Sequence, residues 1–256
     1  MTSAPALTVA PDELVALVAG RLPGALVGFD VDGVLAPIVA HVDHSALTDG
    51  VAEALAVLAA LGDVALVSGR SLVSLAGLLD FPPGLHVIGS HGLEQHGGDH
   101  IVLTTAEHDA YAALTALADR TVAAAGDGAW IERKPASLVV HTRQADGNGV
   151  AAAIGQLVAD AAAVSGATVK IGHAVIELMV RTTDKGTALL DLGRRLGAAS
   201  LVYLGDDRTD EDAFERMGPD DVSVRVGPGP TAARYRLADA DAAADFVIGL
   251  ARQVER

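Results

Sequence analysis

The chain has 256 residues, 50% hydrophobic and only 3% aromatic, with no cysteine and a formal net charge of −15. That acidity excludes a polyanionic partner, so neither nucleic acid nor an anionic membrane surface is expected, and the scarcity of aromatics argues against binders that stack sugar polymers or single-stranded bases. Without cysteine there is no disulfide framework or zinc–thiolate site, and no uncharged stretch approaches the roughly 20 residues that span a bilayer.

In chain order, "MTSAPALTVAPDELVALVAG" has no basic segment ahead of its apolar part and carries Asp12 and Glu13. It does not read as a secretory signal, so a cytoplasmic chain is expected, and separately a monomer. "ALVGFD" (25–30) predicts a buried strand, followed by a helix around 49–61. "DVALVSG" (63–69) is the next strand, then "SLVSLAGLL" as a helix and "LHVIGSHG" (85–92) as a strand. The rhythm then changes. A helix over 107–125 leads into "AWIERK" and "SLVVHTR" as an antiparallel pair. A second helix (148–164) leads into "ATVKIG" and "AVIELMV", a hairpin turning at Gly172 and His173. Helix–strand–strand given twice predicts a separate small α/β layer over about 103–182, with a weak internal repeat. The last segment returns to the first pattern, with "TALLDLGRRLG" as a helix, "SLVYLGDD" (200–207) as a strand and "TDEDAFERMG" as a helix. Apolar strands interleaved with helices imply an α/β fold, a parallel sheet covered on both faces.

In such sheets ligands bind beyond the carboxyl ends of the strands. Asp30, Ser68, Ser90 with His91, and Asp206 with Asp207 all fall at those ends. Asp30 and Asp32 are two apart and share a face if the chain stays extended. Their D-x-D-G could open a calcium loop, but Val34 to Ile38 bring none of the later oxygen ligands. Ser68-Gly69-Arg70 offers a hydroxyl and flexible backbone donors suited to phosphate oxygens, and "TDKG" presents Lys185. "GDDRTDED" concentrates Asp206, Asp207, Asp210, Glu211 and Asp212. Part of that cluster can cap a helix, and the rest must face water or a cation. Together these groups suit phosphoryl transfer: one aspartate attacks phosphorus, and the second donates and then accepts a proton. A metal neutralises the acids while the serine and lysine hold the other phosphoryl oxygens. All-oxygen ligands favour Mg²⁺ over zinc.

D-x-D-G, then Ser, Lys and G-D-D-x-x-D, in that order, resembles the haloacid dehalogenase-like phosphatases. "FDVDGVLAPI", "SGR", "GSHG", "ERKPASLVVHTR", "DKG", "GDDRTDEDAF" and "VGPGPTAARYRLAD" resemble, within them, the trehalose-6-phosphate phosphatase family over about Phe29 to Asp239. The resemblance implies a Rossmann-like core of 1–102 and 183–256, with 103–182 inserted as an α/β cap that sets specificity. It implies a Mg²⁺-dependent hydrolysis of a small sugar phosphate, trehalose 6-phosphate, through an aspartyl-phosphate. Asp30 would be the nucleophile, Asp32 the general acid/base, and Ser68 and Lys185 the phosphoryl ligands. Asp30, the Asp32 carbonyl and Asp206 would hold the metal, with Asp207 and Asp210 behind them. Gly69, Arg70 and His91 are expected to face the substrate, and Glu132, Lys134 and Glu177 in the cap to grip the distal glucose. His141 and Arg143 share a strand face, either the cap's underside or a solvated one, and Trp130 is expected in the cap core rather than as a sugar platform. Val34 stands where the family has Thr, and Met179 and Val180 where a basic residue and proline follow Glu177, with Arg181 further on. The alternatives are a phosphatase for a related phosphorylated disaccharide or pseudo-disaccharide, a non-catalytic sugar-phosphate sensor, and a phosphotransfer mutase.

Overall fold

Runs of Val, Leu and Ala with no polar alternation need apolar cover on both sides, and the helices between them provide it. The computed structural model describes residues 6–39, 45–97, 103–145, 149–172 and 174–255. The expected turn residue His173 and residue 102 at the expected domain boundary lie outside these. The chain forms two compact units, Met1–Gly98 with Thr183–Arg256, and Asp99–Thr182. The elements in order are β1 (Leu7–Thr8), α1 (Pro11–Ala19), β2 (Ala25–Phe29), α2 (Val51–Leu61) and β3 (Asp63–Val67). Next come α3 (Leu72–Ala76), β4 (Leu85–Gly89), a 3-10 turn (Ser90–Gly92) and β5 (Glu94–Gln95). The second unit contributes α4 (Thr105–Ala125), β6 (Trp130–Lys134), β7 (Ser137–His141), α5 (Val150–Ala162), β8 (Thr168–Gly172) and β9 (Val175–Met179). The chain then returns through α6 (Lys185–Leu196), β10 (Ser200–Gly205), α7 (Arg208–Phe214), β11 (Val222–Val226), β12 (Tyr235–Leu237) and α8 (Ala240–Val254).

The first unit's sheet has the order β1-β12-β11-β10-β2-β3-β4-β5. Its pairings are parallel except the short antiparallel β4–β5 edge. Successive strand residues alternate between two apolar layers. Val27, Phe29, Val64, Leu66, Val202 and Leu204 join Leu14, Leu58 and Phe246 of α1, α2 and α8. Leu26, Ala65, Val67, Leu201 and Tyr203 join Leu189, Leu192 and Phe214 of α6 and α7 on the other side. From β2 the chain moves to β3 and β4 in one direction, and later from β10 to β11 and β12 in the other. This reversal opens a crevice at the carboxyl ends of β2 and β10. The expected doubly covered, Rossmann-like parallel sheet is therefore the one observed. The expected helix "SLVSLAGLL" is shorter than its apolar pattern, spanning only Leu72–Ala76 after the Ser71 cap and ending at Gly77.

The second unit is a four-stranded antiparallel sheet in the order β6-β7-β9-β8. Both expected hairpins form, and the second strand of each lies at the centre. Helices α4 and α5 pack against each other and against this sheet. The Arg133–Asp119 ion pair, 2.8 Å, marks the helix side, so Trp130, Glu132 and Lys134 face the opposite way. Trp130 is 50% exposed, which overturns its placement in the core; strand alternation at the first residue of β6 turns it away from α4. β7 separates β6 from β9, so Glu177 lies one strand further from Glu132 than a direct pairing would place it. Among the described residues no helix is long and apolar enough to cross a membrane.

Thr104 caps α4 in a reciprocal box with Glu107, and the same carboxylate takes a two-pronged contact from Arg181 at 2.8 and 2.6 Å. The hydrogen bond from Arg181, then those from Thr104, hold the Glu107 carboxyl down at about 2. A depressed carboxylate stabilises the fold above its unfolded pKa, and the contribution fades as pH falls toward the folded value. Denaturant midpoints of the wild type and Glu107→Gln should therefore differ most near pH 7 and converge as pH drops from about 4.3 toward 2. A gap that is constant with pH would show that the carboxylate charge contributes nothing.

Candidate active site

The strand β2 is buried at all five positions and delivers Asp30, 3% exposed, into the crevice. Its backbone N–H still donates to Leu204 carbonyl oxygen on β10 at 2.9 Å, so the side chain starts from a rigid ladder. The chain then turns sharply, with Val31 carbonyl oxygen accepting from the N–H groups of Val34, Leu35 and Ala36. Gly33 sits at φ +81°, and a Cβ there would lie 2.1 Å from Asp206 Oδ2. Only glycine lets this loop rest against the Asp206 carboxylate. Val34, standing where the resemblance leads one to expect threonine, is fully buried in the core cluster and packs as an aliphatic side chain.

Lys185 opens α6, whose N-cap is Asp184, and its side chain is 3% exposed. Its Nζ lies 2.7 Å from Asp30 Oδ2 and 3.0 Å from Asp210 Oδ1. Asp210 is 0% exposed and takes donors on both oxygens. Oδ1 accepts from Lys185 and, at 2.7 Å, from the Tyr203 hydroxyl, while Oδ2 accepts from the N–H groups of Asp206 and Asp207 at 3.0 and 3.1 Å. Gly205 makes room for it, because a Cβ there would stand 2.3 Å from Asp210 Cγ. Asp207 faces the helix instead, accepting from Thr209 and Asp210 N–H as the N-cap of α7. Tyr203 belongs to none of the sequence motifs that point to the site. Its signal was a lone phenol in an aliphatic strand, where a buried hydroxyl requires a partner.

The charges do not balance. Asp30, Asp206 and Asp210 each bring a carboxylate oxygen within 4.8 Å of the others, and one ammonium lies among them. Burial raises Asp30 well above the ordinary range, with Lys185 opposing and Asp210 adding to the rise. Burial, then Asp210 and Asp207, lifts Asp206 to about 6. Burial works to lower Lys185, but Asp30, Asp210 and Asp207 outweigh it and hold the ammonium firmly charged. Among the described residues no hydrogen bond reaches the Asp206 carboxylate. A divalent cation bound by oxygen would relieve this excess, and the hard donor set fits one.

The other expected residues separate into three groups. Ser68, 1% exposed, ends β3, and its Oγ accepts from Arg70 N–H at 3.2 Å. Arg70, expected on the phosphate, directs Nε and Nη2 at both oxygens of Asp32, at 2.6 and 2.5 Å. Ser90 and His91 adopt φ of +50° and +54°, uncommon for residues with a side chain and often found at functional turns. His91 packs so close to Gly69 that a Cβ on the latter would meet its ring at 2.6 Å. Within the second unit, Lys134 Nζ lies 3.9 Å from Glu132 Oε1 and 3.9 Å from Glu177 Oε1. Ser137 Oγ donates to Glu177, and the hydrogen bond with His141 keeps the Glu132 carboxyl below its usual value.

This geometry can be set beside known proteins. A sequence model described as Trehalose-phosphatase matches residues 28–241. A trehalose-phosphate phosphatase of Mycobacterium ulcerans is 36% identical over 266 residues, covering 95% of this chain and 66% of that protein. An uncharacterized glycosyl hydrolase of Mycobacterium tuberculosis is 35% identical over 250 residues, 88% of this chain and 18% of that protein. The chain thus spans 18% to 66% of the length of these curated relatives. Among solved structures, a trehalose-6-phosphate phosphatase related protein aligns with a TM-score of 0.71 at 25% identity, over 89% of this chain and 97% of that one. The C-terminal domain of a Candida albicans trehalose-6-phosphate phosphatase aligns with a TM-score of 0.73 at 21% identity over 97% and 99%, which speaks to the fold. With the matched segment running through Asp30, Ser68, Lys185 and Asp206, the chain belongs to the trehalose-phosphatase family.

Proposed function

We propose that this chain is a Mg²⁺-dependent phosphatase that hydrolyses trehalose 6-phosphate to trehalose and phosphate through an aspartyl-phosphate. The observation that carries this reading is the buried Asp30 carboxylate at the chain reversal, gripped by Lys185 and within 4.8 Å of the Asp206 and Asp210 carboxylates. Asp30 Oδ1 is fixed by Val31 N–H at 2.7 Å, which holds the carboxylate in one orientation for attack on phosphorus. As the new O–P bond forms, the bond to the sugar O6 breaks, and protonated Asp32 gives that oxygen its proton. Asp32 then takes a proton from the water that attacks phosphorus, releasing phosphate and restoring Asp30. Arg70 holds Asp32 beside the crevice between these steps, and Ser68 Oγ and Lys185 Nζ steady the phosphoryl oxygens. Asp30, the Asp32 carbonyl and Asp206 would hold Mg²⁺, which offsets the negative charge of substrate and carboxylates. Asp210, with both oxygens already engaged, positions Lys185 rather than ligating.

The second unit acts as the cap and sets specificity, with Glu132, Lys134 and Glu177 meeting the distal glucose. Met179 lies on the same strand face as Glu177, which favours a related disaccharide phosphate as the second reading. Arg181, two residues beyond Met179, donates to Glu107. The protein is expected to act in the cytoplasm as a monomer. Phosphate release across a panel of sugar phosphates, with and without Mg²⁺, tests the assignment. Trehalose 6-phosphate should be the best substrate, and turnover without a divalent ion would sink the metal role.

Three variants probe the parts. Asp30→Asn should abolish turnover with the fold intact by circular dichroism, since an amide of nearly equal volume is a poor nucleophile. Wild-type turnover in that variant would remove Asp30 from the reaction. Asp32→Asn should lose about 10²–10⁴-fold on trehalose 6-phosphate and less on an aryl phosphate, whose leaving group needs less protonation. Equal losses on the two substrates would count against proton transfer by Asp32. Glu132→Ala should lower kcat/KM for trehalose 6-phosphate, relative to an aryl phosphate, by about 1–3 kcal/mol of transition-state binding. An unchanged ratio would place the sugar elsewhere.

A further inference from the structure

The helix-free face of the second unit's sheet carries the chain's one tryptophan. Trp130 pairs in register with His141, and their rings stack face to face with centroids 4.0 Å apart and planes 4° from parallel. The indole is 50% exposed, in a chain with few aromatics to spare. Half-exposed indole is unfavourable hydrophobic surface, and the stacked imidazole fixes its plane instead of hiding it. The same histidine turns Nε2 toward Glu132 Oε2 at 3.3 Å, so the brace is itself anchored.

What surrounds the ring narrows the occupant. Glu132 and Lys134 follow Trp130 at alternate positions of β6, and Val139 of β7 stands between Glu132 and Glu177 in register. All of them lie on one sheet face. A flat apolar plate therefore borders a row of carboxylate, ammonium and carboxylate. Glu132 and Glu177 each offer more lone pairs than the bonds with His141 and from Ser137 use, and these can accept from a ligand's hydroxyls. A pyranose has this combination, with an apolar C–H face for the plate and equatorial hydroxyls that both donate and accept. A nucleobase would also stack, but the net charge of −15 repels its phosphates.

We propose that Trp130, braced by His141, is the stacking platform for the unphosphorylated hexose of the disaccharide phosphate, and so a specificity-determining residue. This rests on the sugar phosphatase reading above. The test is kcat/KM for trehalose 6-phosphate and for p-nitrophenyl phosphate in the wild type, Trp130→Ala and Trp130→Phe. The ratio of the two constants should fall roughly ten-fold in Trp130→Ala, the scale of one aromatic contact, and recover largely in Trp130→Phe. Because Trp130 is the sole tryptophan, Asp30→Asn titrated with trehalose 6-phosphate should show a saturable change in indole emission that inorganic phosphate does not produce. An unchanged ratio in Trp130→Ala overturns the platform, as does an equal loss on both substrates without rescue by Phe. So does calorimetric binding of trehalose 6-phosphate that leaves the emission unmoved. A wild type that hydrolyses p-nitrophenyl phosphate but not trehalose 6-phosphate instead overturns the disaccharide reading itself.

Discussion

One buried ammonium shared between two buried carboxylates organises the first unit. Lys185 Nζ stands 2.7 Å from Asp30 and 3.0 Å from Asp210, with all three side chains out of water. Removing one partner from such a cluster leaves an uncompensated charge in an apolar interior, typically a loss of about 3–5 kcal/mol. The local structure is arranged to prevent that. Asp210 spends both oxygens on four donors, including the Tyr203 phenol and two backbone N–H groups. The starts of α6 and α7 are capped by Asp184 and Asp207, which fixes where Lys185 and Asp210 begin.

The same cluster sets three carboxylates around one ammonium. Were Asp30 fully neutralised by protein groups, it would be an inert buried ion pair. Instead the Asp206 carboxylate lies against Gly33 with no hydrogen bond among the described residues, and burial raises both Asp30 and Asp206. A site whose acids are costly to ionise alone gains most from binding a divalent ion and a phosphoryl group together. One electrostatic arrangement thus joins the four groups, with Lys185 and Asp210 tied to each other and the Asp206 carboxylate the least engaged among the described residues.

The second unit follows a different logic. Its sheet is packed by helices on one side, so alternation along β6, β7 and β9 sorts the strands into an apolar side and a polar one. Leu138, Val140, Ile176 and Leu178 are essentially fully buried, while Glu132, Glu177 and His141 keep partial access to water. Side chains on the polar face can then change without disturbing the core on the other, and Met179 shares that face with Glu177.

The parallel core and the polar residues at its strand ends were legible in the sequence, because both depend on short-range pattern. Unbroken apolar runs demand cover on both faces, and a carboxylate or serine directly after such a run must sit at a strand's end, as Asp30, Ser68 and Asp206 do. The two hairpins of the second unit were legible for the same reason. What β11, β12 and α8 add at the sheet's far side was not, since nothing in "VSVRV" or "YRL" names its neighbour. Pairings across long stretches of chain were equally silent: the Arg70–Asp32 fork, the Tyr203–Asp210 bond, and the insertion of β7 between Glu132 and Glu177. The exposure of Trp130 belongs with them. Local periodicity states which residues share a face, but only tertiary packing decides which face the helices cover, and that choice left the indole in water beside His141.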